Sequence, residues 1–166
     1  MNRMNAGLLV AASMLVGALA AAHDDEHQKK GAAKAKPAAH ATDTAFGRAG
    51  DPKKVTRTVN VTMNDEMRFV PDHVSVKQGD TIRFVVKNEG KVMHEFVLGT
   101  MKDLKAHAAL MRKHPGMEHD EPYIAHAGPG KSQSVVWQFT KAGEYYFACL
   151  VPGHFEAGMV GKVDAR

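Results

Sequence analysis

The sequence "AGEYYFACLVPGHFEAGMVGKV", Ala142–Val163, determines the expected architecture of this chain. It contains two β-like runs, Gly143–Cys149 and Met159–Val163, joined by a loop with glycine and proline. Similar short runs, separated by turn residues, occur upstream at Val55–Met63, twice within His73–Asn88, at His94–Leu98 and at Ser134–Phe139. About seven short strands with glycine turns and little helix predict an all-β protein built as a β-sandwich.

One segment departs from the strand pattern. Residues Thr100–His114 contain good helix formers, and four side chains recur there at helical spacing: Leu104, His107, Ala108 and Met111. Pro115 and Gly116 follow directly and stop the helix. We therefore predict an insertion over residues 99–130 between two strands, with a short helix in its first half.

The N-terminus has the pattern of a secretory signal peptide over residues 1–22. A basic residue precedes an apolar run from Ala6 to about Val16, which is too short for a membrane span. The small residues that follow allow cleavage after Ala20 or Ala22. The mature protein is therefore expected in the periplasm, as a monomer without a membrane span.

The rest of the chain divides into an arm and a domain. Residues 23–54 are rich in alanine, lysine, histidine and aspartate and have no apolar periodicity, which predicts a flexible arm. The single domain is expected over residues 55–166. The formal net charge of +4 is scattered along the chain, and it is too mild to indicate a nucleic-acid-binding protein.

Cys149 is the only cysteine of the chain. An exported protein meets an oxidising compartment, where a lone exposed thiol has no disulfide partner and is open to oxidation. Cys149 is therefore either a buried apolar side chain or a group with a chemical task. The sequence around Cys149 distinguishes between these two interpretations.

Cys149, His154 and Met159 follow the spacing C-x4-H-x4-M. A thiolate, an imidazole and a thioether together suit copper, which can cycle between Cu(I) and Cu(II) when its ligands satisfy both states. Such a site needs one more histidine, and His94 is the best placed because it begins the strand-like run His94–Leu98. His73 also opens a strand, but nothing around it indicates ligation. Without a metal, His154 would be a turn residue and Met159 a core residue.

These motifs resemble the cupredoxin family of type 1 copper proteins over about Val55–Arg166. The resemblance is carried by "FVPDHVSVKQGDTIRFVVKNEGKVMHEFVL" and by "AGEYYFACLVPGHFEAGMVGKV". It implies a Greek-key β-sandwich that binds one copper through His94, Cys149, His154 and Met159. The spacing of the ligand loop is similar to that of rusticyanin and auracyanin. Glu95 is a departure, because plastocyanin and azurin have asparagine directly after the first histidine ligand.

The resemblance also implies one-electron redox chemistry rather than catalysis. Copper enzymes with a type 1 site commonly reach a second copper centre through a histidine beside the cysteine, whereas Ala148 and Leu150 flank Cys149 here. A redox partner or a copper-handling protein is expected to dock near His154, next to the apolar side chains of Val151 and Phe155.

Further histidines and methionines lie outside the ligand loop and suggest accessory copper sites. The candidates are His114, Met117, His119 and His126 in the insertion, with His23 and His27 in the arm. A chelate by the free amine of His23 requires cleavage after Ala22. The alternative is that these side chains are solvated on a polar loop and a disordered arm. As a group, these histidines and methionines make the chain resemble periplasmic cupredoxins of bacterial copper tolerance. The alternative function is that of a dedicated electron carrier in a respiratory or photosynthetic chain.

Overall fold

The computed structural model describes residues 43–117 and 120–166. The predicted signal peptide, residues 23–42 of the predicted arm, and the candidate ligands His23, His27 and His119 lie outside the described residues. In the described part, one helix and ten strands form a mostly β protein.

The strands form two five-stranded sheets. In chain order the elements are β1 Arg48–Ala49, β2 Arg57–Asn64, β3 Arg68–Val70, β4 His73–Val76, β5 Thr81–Asn88, β6 His94–Gly99, α1 Met101–Lys113, β7 Ile124–Ala127, β8 Ser132–Gln138, β9 Gly143–Ala148 and β10 Val160–Ala165. The first sheet has the order β1-β8-β5-β2-β3, and the second has the order β4-β10-β9-β6-β7. The predicted two-sheet, mostly β architecture is therefore confirmed.

The core lies between the sheets and combines aliphatic and aromatic side chains. Alternate residues of each strand point inward, as the burial pattern of β5 shows with Ile82, Phe84 and Val86 fully buried. Phe96 of β6 and Phe147 of β9 stack with ring centroids 5.0 Å apart. This packing fixes the position of β6 relative to β9. The candidate site lies at the ends of these two strands.

Helix α1 covers the outer face of the second sheet. Thr100 caps its N-terminus by accepting a hydrogen bond from the Asp103 amide, which confirms the predicted start. The buried face of α1, formed by Leu104, Ala108 and Met111, packs in one cluster with Val97, Ala148 and Leu150. Strand β6 is therefore buried on both faces.

The folded domain begins before the predicted boundary at residue 55. Strand β1 pairs with β8, and Phe46 is buried against Trp137 with ring centroids 5.0 Å apart. The Trp137 indole N–H also donates to the carbonyl oxygen of Phe46 at 2.9 Å. The prediction of a flexible arm over residues 23–54 is thus wrong for its last part, because Phe46 fills a place in the core.

Three strands were not predicted: β1, β3 and β7. Strands β1 and β3 have only two and three residues, which is too short for a period-two pattern, and β7 alternates only weakly in the sequence IAHA. Strand β7 lies inside the predicted insertion, so the end of that segment belongs to the second sheet as the neighbour of β6. Among the described residues, no helix is both long enough and apolar enough to cross a membrane.

Candidate metal centre

His94 and Cys149 are brought together by the pairing of β6 with β9. His94 is the first residue of β6, and Cys149 follows the last residue of β9. Both side chains are fully buried. The backbone N–H of Glu95 donates to Cys149 Sγ at 3.3 Å, which links the two strand ends next to the thiol.

Three of the four predicted ligands form one cluster. Cys149 Sγ lies 3.9 Å from His94 Nδ1 and 3.2 Å from His154 Nδ1. The ligand atoms of these three residues all lie within 4.8 Å of one another. Within the described part of the chain, no other group of three or more His, Cys, Asp or Glu side chains meets this criterion.

The loop from Cys149 to Met159 is closed by its own backbone. The Cys149 amide donates to the Met159 carbonyl at 3.1 Å, and the Met159 amide donates to the His154 carbonyl at 3.1 Å. Gly153 and Gly158 have positive φ angles of 91° and 86°, which side-chain-bearing residues rarely adopt. These glycines allow the tight turns that direct His154 back toward Cys149.

Met159 is fully buried and belongs to the same core cluster as Cys149. Its backbone is tied to both Cys149 and His154 by the loop hydrogen bonds. Ligation by its thioether stays a prediction, as does the four-residue ligand set as a whole.

Asp65 orients His94 from the opposite side of the imidazole ring. Its Oδ1 lies 3.2 Å from His94 Nε2, while its carboxylate also accepts from the Lys91 and Val92 amides. These interactions lower the pKa of Asp65, with the Lys91 N–H as the largest cause. A hydrogen bond at Nε2 leaves Nδ1 free to bind a metal beside Cys149. A Cβ at Gly90 would lie 2.0 Å from Asp65 Oδ1, so a larger residue there would displace the carboxylate from this position.

Asn88 fixes the loop that precedes His94. It is fully buried, and its amide nitrogen donates to the carbonyl oxygens of Val92 and Ala127, each at 2.7 Å. Its side-chain oxygen accepts from the Gly90 amide at 2.8 Å. Neither Asn88 nor Asp65 is predicted from the sequence. Asparagine and aspartate are common turn residues, and nothing in their local sequence indicates contact with a distant loop.

The electrostatics of the cluster suit a soft cation. Burial raises the pKa of Cys149 to about 12, although N–H donors from Glu95 and Val151 oppose the shift. A bound cation compensates the cost of a buried thiolate and displaces the thiol proton. Burial, and then the neighbouring His94, lower the pKa of His154, which keeps its imidazole neutral and able to ligate. One buried sulfur and two imidazole nitrogens that lie close together therefore fit copper.

A β-sandwich with two imidazoles and a thiol at one end defines the class of cupredoxin copper proteins. The comparison with protein families agrees with this class. The family described as "Copper binding proteins, plastocyanin/azurin family" matches residues 55–166. This chain belongs to that family, and copper is its cofactor.

Among known relatives, the chain is similar to proteins named "Copper-resistant cuproprotein CopI". It is 52% identical to the protein of Rubrivivax gelatinosus over 161 residues, which cover 96% of this chain and 98% of the relative. It is 35% identical to the Pseudomonas aeruginosa protein over 151 residues, which cover 74% and 83% of the two chains. The Vibrio cholerae protein is 35% identical over 112 residues, or 67% and 66% of the two chains.

Solved structures with a similar fold include two auracyanins. Auracyanin B superposes with a TM-score of 0.59 at 23% identity, covering 77% of this chain and 99% of that structure. The dithionite-reduced auracyanin of Roseiflexus castenholzii gives a TM-score of 0.58 at 20% identity, covering 68% and 98%. These similarities support the cupredoxin fold.

The remaining predicted residues lie as follows. His73 bonds Asp164 on β10 at 2.8 Å instead of joining the cluster. His154, Val151 and Phe155, the predicted docking residues, are half-buried, so His154 is not deeply covered. Of the candidate accessory ligands, His114 and Met117 are exposed after α1. His126 lies on β7 and pairs with Glu95.

Proposed function

We propose that this protein is an exported cupredoxin of copper tolerance and copper handling, with one-electron redox capability. The observation that carries this proposal is the 52% identity to a copper-resistance cuproprotein over nearly the full length of both chains. The cluster of His94, Cys149 and His154 offers the copper site that such a role requires.

Bound copper would supply reversible exchange between Cu(I) and Cu(II) at this cluster. The chain contributes a frame that resists rearrangement, because Asp65 holds His94 and the loop backbone holds Cys149 and Met159. A frame of this kind limits the reorganisation that accompanies electron transfer. Burial of Cys149 and Met159 keeps water away from the sulfur ligands.

Partner docking is proposed at the surface around His154. His154 is half-buried, and Val151 and Phe155 on the same loop are also partly exposed. Val92 and Met93, which directly precede His94, are exposed apolar residues with 43% and 47% of their surfaces accessible. A partly apolar surface at both ligand-bearing loops suits a transient redox or copper-exchange partner.

The other parts of the proposal rest on the sequence. We propose that residues 1–22 direct export to the periplasm, that the mature protein is monomeric, and that copper performs no substrate chemistry. The last point is supported by Ala148 and Leu150, which are buried apolar neighbours of Cys149. They provide no imidazole through which a second metal centre could be reached.

The second candidate function is a dedicated electron carrier. It is favoured by the finding of one ligand cluster in the part of the chain that the structure describes. Copper stoichiometry separates the two roles. One copper per chain after removal of loosely held metal favours the carrier, while two or more favour copper handling through accessory sites such as His114 and Met117.

A deletion strain provides the main test. We expect the strain to be copper-sensitive, wild-type protein to restore growth, and Cys149→Ser to fail because serine offers no thiolate. Purified Cys149→Ser should also lose the intense thiolate-to-copper absorption. Unchanged copper sensitivity of the deletion strain, together with loss of a respiratory activity, would favour the carrier instead.

A further inference from the structure

Glu95 is a buried acidic residue directly beside a copper ligand. It follows His94 in β6 and is 7% exposed. Since side chains alternate along a strand, Glu95 points away from the central core that His94 and Phe96 face. A carboxylate in such a place is costly unless it has a partner.

The partner is His126, which lies directly opposite on the neighbouring strand β7. His126 Nδ1 and Glu95 Oε1 are 3.1 Å apart, and the His126 side chain is 38% exposed. The backbone of the same Glu95 donates its N–H to Cys149 Sγ at 3.3 Å. One residue therefore connects a surface imidazole with the sulfur that binds copper.

A purely structural role does not account for the charge. A glutamine amide oxygen could accept the same hydrogen bond from His126, so the pairing with β7 alone gives no reason for a carboxylate here. The Glu95 backbone could donate to Cys149 whatever its side chain. What the side chain adds is a negative charge close to the metal.

We propose that Glu95 shifts the copper toward Cu(II) and thereby lowers the reduction potential, and that His126 is a positioning residue that holds the carboxylate. A negative charge stabilises the more positive oxidation state of a nearby metal. This inference rests on the copper site but is independent of the physiological role proposed above.

The expected shift of the reduction potential follows from the length of the Glu95 side chain. Its bonds of about 1.5 Å place the carboxylate no more than about 8 Å from Cys149 Sγ. At an effective dielectric of about 20, a unit charge at about 8 Å changes the ratio of Cu(II) to Cu(I) affinity by about 30-fold. For a one-electron couple, a change of about 30-fold corresponds to about 90 mV.

The test compares Glu95→Gln with Glu144→Gln. Both remove one carboxylate with little change in shape, but Glu144 is exposed at the start of β9, far along the strand from Cys149. We expect the copper-loaded Glu95→Gln protein to have a reduction potential about 90 mV higher than wild type. Competition titrations of the apo proteins should give a Cu(II)-to-Cu(I) affinity ratio about 30-fold lower. Glu144→Gln should match the wild type in both measurements.

His126→Gln tests the positioning role at a more exposed site, where folding is less at risk. We expect it to change the potential in the wild-type background and to have no effect in the Glu95→Gln background. Equal effects in both backgrounds would show that His126 does not act through Glu95. If Glu95→Gln bound copper with an unchanged potential, the charge proposal would be overturned while the copper site stood. Failure of the wild-type protein to bind copper would overturn the site itself.

Discussion

Replacing Asp65 with alanine should weaken copper binding by about tenfold, because Asp65 sets the orientation of the His94 ring. The Asp65 carboxylate contacts His94 Nε2 at 3.2 Å and also accepts from the Lys91 and Val92 amides of the preceding loop. Its loss would leave both the ring and the loop less restrained. His94 would then have to be ordered by the metal itself.

The expected loss of copper affinity follows from the solvent exposure of the Asp65 side chain. Loss of an outer hydrogen-bond partner of a metal-binding histidine typically costs about 10- to 100-fold in affinity. The Asp65 side chain is 39% exposed, so water can replace part of its role. The effect should therefore fall at the lower end of that range. Asp65→Asn keeps an acceptor for His94 and should lose less.

The assay is a competition titration of apo protein with a chromophoric copper chelator. Asp51→Ala is the matched control, because Asp51 also accepts a backbone hydrogen bond in an exposed turn, from Lys53, without contacting a predicted ligand. We expect Asp51→Ala to bind copper as the wild type does. Equal affinity of Asp65→Ala and Asp51→Ala would refute the claim that Asp65 orients His94.

Two further predictions concern stability. The pKa of Asp164 lies below its ordinary value, and the hydrogen bond from His73 is the largest cause. The stabilisation that this bond gives is therefore complete above the ordinary carboxyl pKa. It is lost as the pH falls through the lowered pKa of Asp164. Asp164→Asn should therefore lower the Tm of the apo protein at neutral pH, and a Tm difference that persisted well below about pH 4 would contradict this assignment. Gly161→Ala should destabilise the protein by about 1–3 kcal/mol in chemical denaturation, since overpacking in a close-packed core has that typical cost. Its Cβ would lie 2.2 Å from the ring of Phe147, whereas Gly128→Ala, with its nearest contact at 3.9 Å, should be nearly neutral.

The sequence alone predicted the larger elements and the ligand cluster. Alternation within β5 and helical spacing in α1 are long enough to be recognised, and α1 ends within one residue of its predicted bounds. Cys149 and His154 were found because they lie on one short loop. His94 was found because a histidine at the start of a strand is held rigidly, and its contact with Cys149 follows from the β6–β9 pairing.

The features that were missed depend on tertiary contacts. Asp65 is 29 residues from His94 along the chain, and only the meeting of their loops gives it a role. Phe46 looked like part of a polar arm, because one aromatic residue carries no periodic signal before it is seen against Trp137. Glu95 was recognised as a departure from the family pattern, but its partner His126 could not be known before β7 was placed beside β6.

The closed backbone of the ligand loop has a consequence for the thermodynamics of metal uptake. Ordering a flexible chain costs about 1–2 kcal/mol per residue in conformational entropy at room temperature. In this loop the Cys149–Met159 and Met159–His154 hydrogen bonds join backbone groups only and involve no atom that would bind copper, so folding of the sandwich bears that cost. Copper affinity is then set by the metal–ligand bonds and the displaced thiol proton. Copper should therefore enter and leave with little change in the heat capacity or shape of the protein.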